Sequence, residues 1–330
     1  MIIVRAPTRV SFCGGGSDLP AFYGKHSGAV LSTGLNRYVY LSIHPNFYPD
    51  KIKCKYAKNE LVDHPSELKH PIFRVLLEKF DLNGVEITSN ADVPAGTGLG
   101  TSSSFTVALL HTLYAYTGKY VSPERLADEA CFTEIIKLGE PIGKQDQYAA
   151  AYGGLNLYRF NKNGSVNVEP VLISPESTER MERNLLMFYT GDLRSASEIL
   201  EEQSKNIVTD SEKEYAQIEI CKLTLELHKE LINNNIDSLG AIMNAAWEQK
   251  RKLASGITNP VIDKAYSDAI SAGATGGKLL GAGGGGFLLF YVPEDRHNSV
   301  KNALSDLRFM EFGFSRSGST VIYVGDKPKE

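Results

Sequence analysis

Cysteine is scarce in this chain. Four occur in 330 residues, Cys13, Cys54, Cys131 and Cys221. None forms a CxxC pair and none stands near histidine at zinc-finger spacing, which argues against a zinc ribbon or a disulfide-stapled scaffold. Reduced, mostly buried thiols in a cytoplasmic protein are expected instead. The seven histidines show no metal spacing. No stretch approaches the roughly 20 apolar residues that span a bilayer, and the start Met-Ile-Ile-Val-Arg-Ala-Pro lacks the charged stretch and apolar core of a signal peptide. No membrane partner is expected. An excess of positive charge is lacking as well. The formal net charge is −4, which argues against a broad nucleic-acid surface, and the sixteen tyrosines form no aromatic–basic stripe. A small, locally positive pocket for a phosphorylated metabolite remains compatible with this balance.

What is present is an ordinary globular composition, 42 % apolar and 22 % charged, able to fill real cores. At roughly 100–200 residues per domain the length suggests two domains. Short strands are expected at 2–6 and 8–13, interrupted by Pro7, and at 37–44, 52–57 and 84–89. Residues 71–80 have helical spacing, with Phe73, Leu76, Leu77 and Phe80 on one face. A helix from about 103 to 116 follows a glycine-rich loop. Another opens at Ser122, a natural N-cap with Pro123 at the first position, and runs to about 138. A short helix is expected at 145–152 and a hairpin at 155–173. The second half contributes an apolar strand at 185–189, three helical stretches to about 253, a helix at 260–271, a buried strand at 287–292 and a closing strand at 320–324. A polar stretch with Pro175 sets the expected boundary, giving domains 1–180 and 181–330. The pattern reads as α+β in both halves, not as a doubly wound parallel sheet.

The strongest chemical signal is Pro94-Ala95-Gly96-Thr97-Gly98-Leu99-Gly100-Thr101-Ser102-Ser103-Ser104. Glycines let a backbone approach a ligand closely and adopt positive φ. The loop runs into a helix, whose free N–H groups and dipole favour a phosphate. The hydroxyls add hydrogen bonds and a candidate magnesium ligand. No lysine follows Gly100, so this is not the GxxxxGK[ST] loop, and no acidic residue stands where a dinucleotide fingerprint needs one. Helix capping alone would not call for three alternating glycines and four hydroxyls.

Two further glycine clusters flank it. In Arg5-Ala6-Pro7-Thr8-Arg9-Val10-Ser11-Phe12-Cys13-Gly14-Gly15-Gly16-Ser17-Asp18-Leu19-Pro20, a basic strand ends in a glycine turn whose Asp18 can accept hydrogen bonds from sugar hydroxyls. An Asx-turn on a surface strand is the equally weighted alternative. In Gly276-Gly277-Lys278-Leu279-Leu280-Gly281-Ala282-Gly283-Gly284-Gly285-Gly286-Phe287, glycines between apolar flanks suit a backbone passing close to another loop or a ligand.

These three clusters, in this order, resemble the GHMP kinase superfamily across nearly the whole chain. The middle one is similar to the P-x-G-x-G-L-G-S-S pattern, with Thr101 where serine is usual. The resemblance implies a two-domain GHMP kinase fold, with an N-terminal domain like ribosomal protein S5 domain 2 that binds ATP and a ferredoxin-like C-terminal domain. The first motif, Gly14-Gly15-Gly16-Ser17-Asp18-Leu19-Pro20, looks like the G-G-G-[ST]-D-x-P form of D-glycero-D-manno-heptose 7-phosphate kinases, and Tyr189 to Ser197 resembles the same group. L-fucose kinases carry a related motif. The implied reaction is transfer of the ATP γ-phosphate to the anomeric hydroxyl of the heptose 7-phosphate. The 1,7-bisphosphate so formed is a precursor in GDP-heptose synthesis for surface polysaccharides.

Phosphoryl transfer needs positioning, charge neutralisation and a place for the hydroxyl proton. By the resemblance, Asp146 is the candidate base, and Glu134 with the Thr101 hydroxyl would hold Mg2+. Arg9 would neutralise charge in the transition state. Asp18 would orient sugar hydroxyls, with Gly15, Gly16 and Ser17 as the substrate turn. Pro94, Gly96, Thr97, Gly98, Leu99, Gly100, Thr101, Ser102 and Ser103 would cradle ATP. Arg194 is the first choice to meet the substrate's 7-phosphate, because it precedes a helix start. Lys278 and Arg37 are rivals. Another sugar 1-kinase of fucose or galactose type, a silent sugar- and ATP-binding sensor, and an ATP-dependent decarboxylase stay as alternatives. A homodimer is left open.

Overall fold

Two long antiparallel strands form the spine of the molecule, β1 (Ile2–Cys13), followed by helix α1 (Pro20–His26), and β2 (Gly28–Pro45). The structure, a computed structural model, describes residues 1–191 and 196–325. After β2 come β3 (Ile52–Lys55), β4 (Asn59–Val62), α2 (Pro71–Phe80), β5 (Val85–Ala91), α3 (Thr101–Tyr116), α4 (Pro123–Cys131), α5 (Gln145–Tyr152) and the hairpin β6 (Leu155–Phe160) and β7 (Val166–Pro170). The second half holds α6 (Pro175–Arg183), β8 (Leu185–Tyr189), α7 (Ala196–Thr209), α8 (Ser211–Ile232), α9 (Ser238–Lys250), α10 (Pro260–Ser271), β9 (Gly276–Leu279), β10 (Phe287–Tyr291), α11 (His297–Ala303), β11 (Arg308–Met310), β12 (Phe314–Ser315) and β13 (Thr320–Val324).

Among the described residues the first sheet has nine strands, in the order β13-β1-β2-β5-β3-β4, with β6 and β12 also paired to β2 and β7 paired to β6. The second is an antiparallel sheet, β11-β8-β10-β9. The fold is therefore α+β in two parts. β12 and β13 return to the first sheet, β12 pairing with β2 and β13 with β1.

Pro7 does not interrupt the first strand. β13 pairs with β1 only as far as Arg5, so beyond it the missing proline N–H costs no ladder bond on that side. The proline coincides with a register shift between Pro7 and Arg9. An irregularity of that kind re-aims the residues that follow it. Val4 and Ala6 join a core with α2, α3, α4 and α5, whereas Val10 and Phe12 join a second core with α8, α9 and the other sheet. Arg9 emerges between the two.

α3 is buried nearly all round, with twelve of its sixteen residues inside, as expected of a helix without a polar face. It starts at Thr101, two residues before the expected 103, because Gly100 takes the left-handed cap position (φ 73°). Ser122 caps α4, its Oγ accepting from Arg125 N at 3.2 Å. The expected single helix to 138 changes character, and Phe132–Lys137 form a π-helical turn. Such turns insert an extra residue per turn and often re-aim a functional side chain. Here the turn carries Glu134. No helix among the described residues is long and apolar enough to cross a membrane.

Candidate active site

A cleft of about 420 Å³ lies where the three glycine clusters meet, bounded by β1, the starts of α3 and α5, α7 and the end of α9. Gly96, Gly98 and Gly100 all have positive φ, 80°, 84° and 73°. A Cβ on Gly98 would lie 2.5 Å from the Leu280 carbonyl oxygen, and one on Gly281 would lie 2.6 Å from the Gly98 Cα. The phosphate-type loop and the third cluster thus stack backbone on backbone. Thr97 and Leu99 serve this arrangement from inside. The Thr97 hydroxyl donates to Pro94 O at 2.9 Å, and the Leu99 side chain lies in the core while its carbonyl accepts from Arg9 N at 3.0 Å. Pro94 stands exposed at the loop's start.

The α3 start has no side-chain cap. Its first N–H groups are the orphans that every helix leaves. Ser102 is exposed at this edge, while the buried Thr101 Oγ1 has no hydrogen-bond partner. An unmet buried hydroxyl beside uncapped N–H groups suits an anion and its counter-ion.

Asp146, in the first turn of α5, faces this helix start. Its Oδ1 accepts from Arg9 Nε at 2.7 Å and Nη2 at 2.6 Å. Arg9 Nη1 donates to Gly98 O at 2.6 Å. The guanidinium is 3 % exposed and the carboxylate 25 %. One arginine therefore ties Asp146 to the glycine loop and leaves Oδ2 toward the cleft. A Cβ on Gly100 would lie 3.1 Å from that oxygen, and no donor among the described residues is bonded to it. Asp146 does not cap α5, whose N-cap is Lys144.

Asp18 joins the first glycine turn to the α5 start. Oδ1 accepts from Gly16 N at 3.0 Å and Oδ2 from Gln145 N at 3.1 Å. Burial pushes its carboxyl above the usual range, against the hydrogen bond from Gln145 N. The Gly16 contact is a local turn of the kind the sequence leaves open, and each oxygen keeps acceptor capacity for a ligand. Gly143 has to be glycine, because a Cβ there would fall 1.9 Å from Asp18 Oδ2.

Glu134 is 2 % exposed. Ser103 donates to Oε2 at 2.9 Å, Gln147 to Oε2 at 2.5 Å and Thr106 to Oε1 at 2.8 Å. Burial, opposed by these hydrogen bonds and reinforced by Asp146, pushes its carboxyl up to about 7. The hydroxyls joined to Glu134 are those of Ser103 and Thr106, not that of Thr101. Against an ordinary value of 4.5, the folded chain favours the protonated carboxyl. Its contribution to stability is whole below 4.5 and is lost as pH rises through about 7. Glu134→Gln, which mimics the protonated form, is expected to melt higher than the parent at pH 8 in metal-free buffer. The gap should close near pH 4.5. Thermal melts across that range check this, and a lower melting point at pH 8 would refute it.

The other expected residues divide between the cleft and its surroundings. The Ser17 hydroxyl is spent on β2, donating to Ala29 O at 2.9 Å and accepting from Ala29 N at 3.0 Å, so it serves the turn rather than a ligand. Gly16 lines the cleft (φ 92°), and Gly15 O accepts from Gln217 Nε2 at 3.4 Å. Lys278 is buried behind the turn, with Nζ 3.4 Å from Ser11 Oγ in a small separate cavity beside Cys13. Burial, aided by Lys250, lowers its ammonium to about 7. It does not reach the cleft and is not the hand for a substrate phosphate. Arg37 is spent on the carbonyls of Asn36 and Glu311 away from the cleft. Arg194 lies outside the described residues.

Sequence reasoning missed Lys250. It is 6 % exposed, lines the cleft, and donates to Gly281 O. Burial and Arg9 lower its ammonium to about 8, against Asp18 and Asp146. A lysine closing a helix reads as a dipole-complementing surface charge, and nothing local marks it otherwise.

Among the described residues no group of three His, Cys, Asp or Glu side chains could hold a metal alone. The set at the α3 start still suits magnesium, which is held by one or two protein oxygens together with substrate phosphates. Glu134, Ser103 and the unpartnered Thr101 hydroxyl supply such oxygens.

Comparison with known proteins identifies the family. The GHMP kinases N terminal domain matches residues 67–154 and the GHMP kinases C terminal domain residues 227–308. A D-glycero-alpha-D-manno-heptose 7-phosphate kinase of Campylobacter jejuni is 27% identical over 96% of this chain and 97% of its own length. A bifunctional fucokinase/GDP-fucose pyrophosphorylase of Arabidopsis thaliana is 31% identical over 88% of this chain, which spans 30% of that larger protein. A solved D-glycero-D-manno-heptose 1-phosphate kinase from Bacteroides thetaiotaomicron shares the fold with a TM-score of 0.81 at 24% identity, over 99% of this chain and 100% of that one. A mevalonate kinase of Methanococcus jannaschii gives 0.74 at 20% identity, over 95% and 98%. The chain belongs to the GHMP kinases. Within that family it is an ATP-dependent sugar kinase.

Proposed function

We propose that this kinase transfers the γ-phosphate of ATP to the anomeric hydroxyl of D-glycero-D-manno-heptose 7-phosphate, giving the 1,7-bisphosphate. The observation that carries the chemistry is the Arg9–Asp146 pair, held against the uncapped start of α3 with Asp146 Oδ2 left unpaired. The choice of sugar is supported by the Gly14 to Pro20 motif and by the likeness to the Campylobacter enzyme over nearly the full length of both chains.

In this reading the ATP phosphates lie at the α3 N-terminus, on backbone N–H groups exposed by Gly96, Gly98 and Gly100. A magnesium ion held by Glu134 with Ser103 or Thr101 would supply charge neutralisation on the phosphoryl group. Asp146 Oδ2 accepts the hydroxyl proton as the new P–O bond forms and the bond from the γ-phosphorus to the bridging oxygen breaks, releasing ADP. An anomeric hydroxyl is more acidic than an ordinary alcohol, so a carboxylate is a sufficient acceptor. Arg9 holds that carboxylate in place and balances its charge before the proton arrives.

A coupled ADP-release assay with Mg-ATP tests the substrate. The acceptors are D-glycero-D-manno-heptose 7-phosphate, sedoheptulose 7-phosphate, mannose, mannose 6-phosphate, fucose and galactose. Turnover is expected on the heptose 7-phosphate above all others. Turnover confined to an unphosphorylated sugar would overturn the heptose assignment and keep the kinase. Turnover on none of them would overturn both the acceptor class and the role given to Asp146.

A further inference from the structure

Lys250 is a buried ammonium with unfilled bonding capacity. It has three N–H donors, and its one hydrogen-bond partner among the described residues is Gly281 O. No carboxylate among the described residues pairs with it within 4.0 Å. Burying a charge in that state is costly unless a partner arrives. A second unmet group stands beside it. Gln145 Oε1 is buried and has no partner, while the Nε2 of the same amide lies 3.4 Å from Asp18 Oδ1.

Lys250 Nζ and the Gln145 amide, through its Nε2, stand over one bare spot. The point where Gly15 would carry a Cβ lies 3.8 Å from Lys250 Nζ and 3.8 Å from Gln145 Nε2, with no other atom within 4 Å. Both line the cleft together with Asp146 and Asp18. The donors Lys250 Nζ and Gln145 Nε2 at this spot, with the carboxylates of Asp18 and Asp146 and the unmet Gln145 Oε1 as acceptors nearby, suit a hydroxyl, which gives one hydrogen bond and accepts two.

We propose that Lys250 and Gln145 form the acceptor-reading pair of this kinase, gripping the ring hydroxyl next to the one that is phosphorylated. This rests on the reading of Asp146 as the residue facing the attacking hydroxyl. Lys250 donates to the neighbouring hydroxyl oxygen and Gln145 Oε1 accepts its proton. The pair selects for the presence and configuration of that hydroxyl, and fixes the sugar ring so that the adjacent oxygen meets Asp146. The absence of a side chain at Gly15 leaves the room.

The test compares the acceptor found by the ADP-release panel with its analogue lacking the hydroxyl adjacent to the anomeric centre, in parent enzyme and in Lys250→Met. The parent is expected to prefer the full acceptor by about tenfold to a hundredfold in kcat/KM, the range of one hydrogen bond to a charged group. Lys250→Met should erase most of that preference, raise the acceptor KM and leave the ATP KM unchanged. Lys250→Arg should recover part of it. Gln145→Met provides the same comparison if Lys250→Met does not fold. Preference for the full acceptor surviving in the folded variants, or a rise in ATP KM alone, would overturn the pair while leaving the kinase reading intact. No turnover by the parent on any acceptor would overturn both.

Discussion

Asp146→Asn is expected to lower kcat by about 10²–10⁴, the range of a positioned general base. The side chain keeps its shape, and an amide oxygen can still accept from Arg9. It can no longer take a proton. Arg9 also keeps its bond to Gly98 O, so the glycine loop stays in place and the ATP KM should change little. Single-turnover measurement separates this loss from slow product release. A kcat equal to the parent's would remove Asp146 from the proton transfer. Arg9→Met should cost more broadly, because it leaves Asp146 without its partner and Gly98 O without its donor. Truncating one member of a buried pair strands the other. Arg9→Lys is not a conservative change here, since one ammonium cannot replace the two N–H groups on Asp146 Oδ1 and reach Gly98 as well.

Gly98→Ala is the second change with a large expected effect. The position has φ 84°, which costs an alanine about 1–3 kcal/mol by itself. Its Cβ would also stand 2.5 Å from the Leu280 carbonyl oxygen, and overpacking of that kind adds about 1–3 kcal/mol. The contact is backbone against backbone, so neither side can swing away. The loops must part, and with them the α3 start and the carbonyl that holds Arg9. A markedly lower melting temperature and a raised ATP KM are expected together. Gly24→Ala serves as the control. Gly24 lies exposed inside α1, and a Cβ there meets nothing within 4 Å. Alanine in a helix interior gains about 0.5–1 kcal/mol over glycine. The two substitutions should therefore move the melting temperature in opposite directions. A Gly98→Ala protein that melts and binds ATP like the parent would show that the loops are not held in this apposition.

The elements legible in the sequence were those whose cause is local. Residues 71–80 read as a helix because four apolar side chains share one face, and α2 occupies that span. The loop before α3 was legible because alternating glycines and hydroxyls have few other uses. What was not legible depended on distant partners. Pro7 reads as a break, and only the short reach of β13 makes it harmless. The stretch from Gly28 to Leu35 holds two glycines and two hydroxyl residues, so it reads poorly as a strand. It is one because β6 and β1 both pair with it. Ser17 and Lys278 carry donors in suggestive motifs, but which way each donor points was decided by the backbone of β2 and by the cavity under the turn. Lys250 had the opposite fate, with no motif around it and a place in the cleft wall.

The return of β13 to β1 has a consequence for synthesis. Residues Ile2 to Arg5 receive their edge partner from Thr320 to Val324, so a ribosome must translate almost the whole sequence before the first strand is flanked on both sides. Until then the growing polypeptide displays an open sheet edge, the kind of surface on which nascent chains adhere to one another. The strand bearing Arg9 is thus made long before it is secured, and a product truncated ahead of Thr320 carries an unprotected edge in place of a finished catalyst.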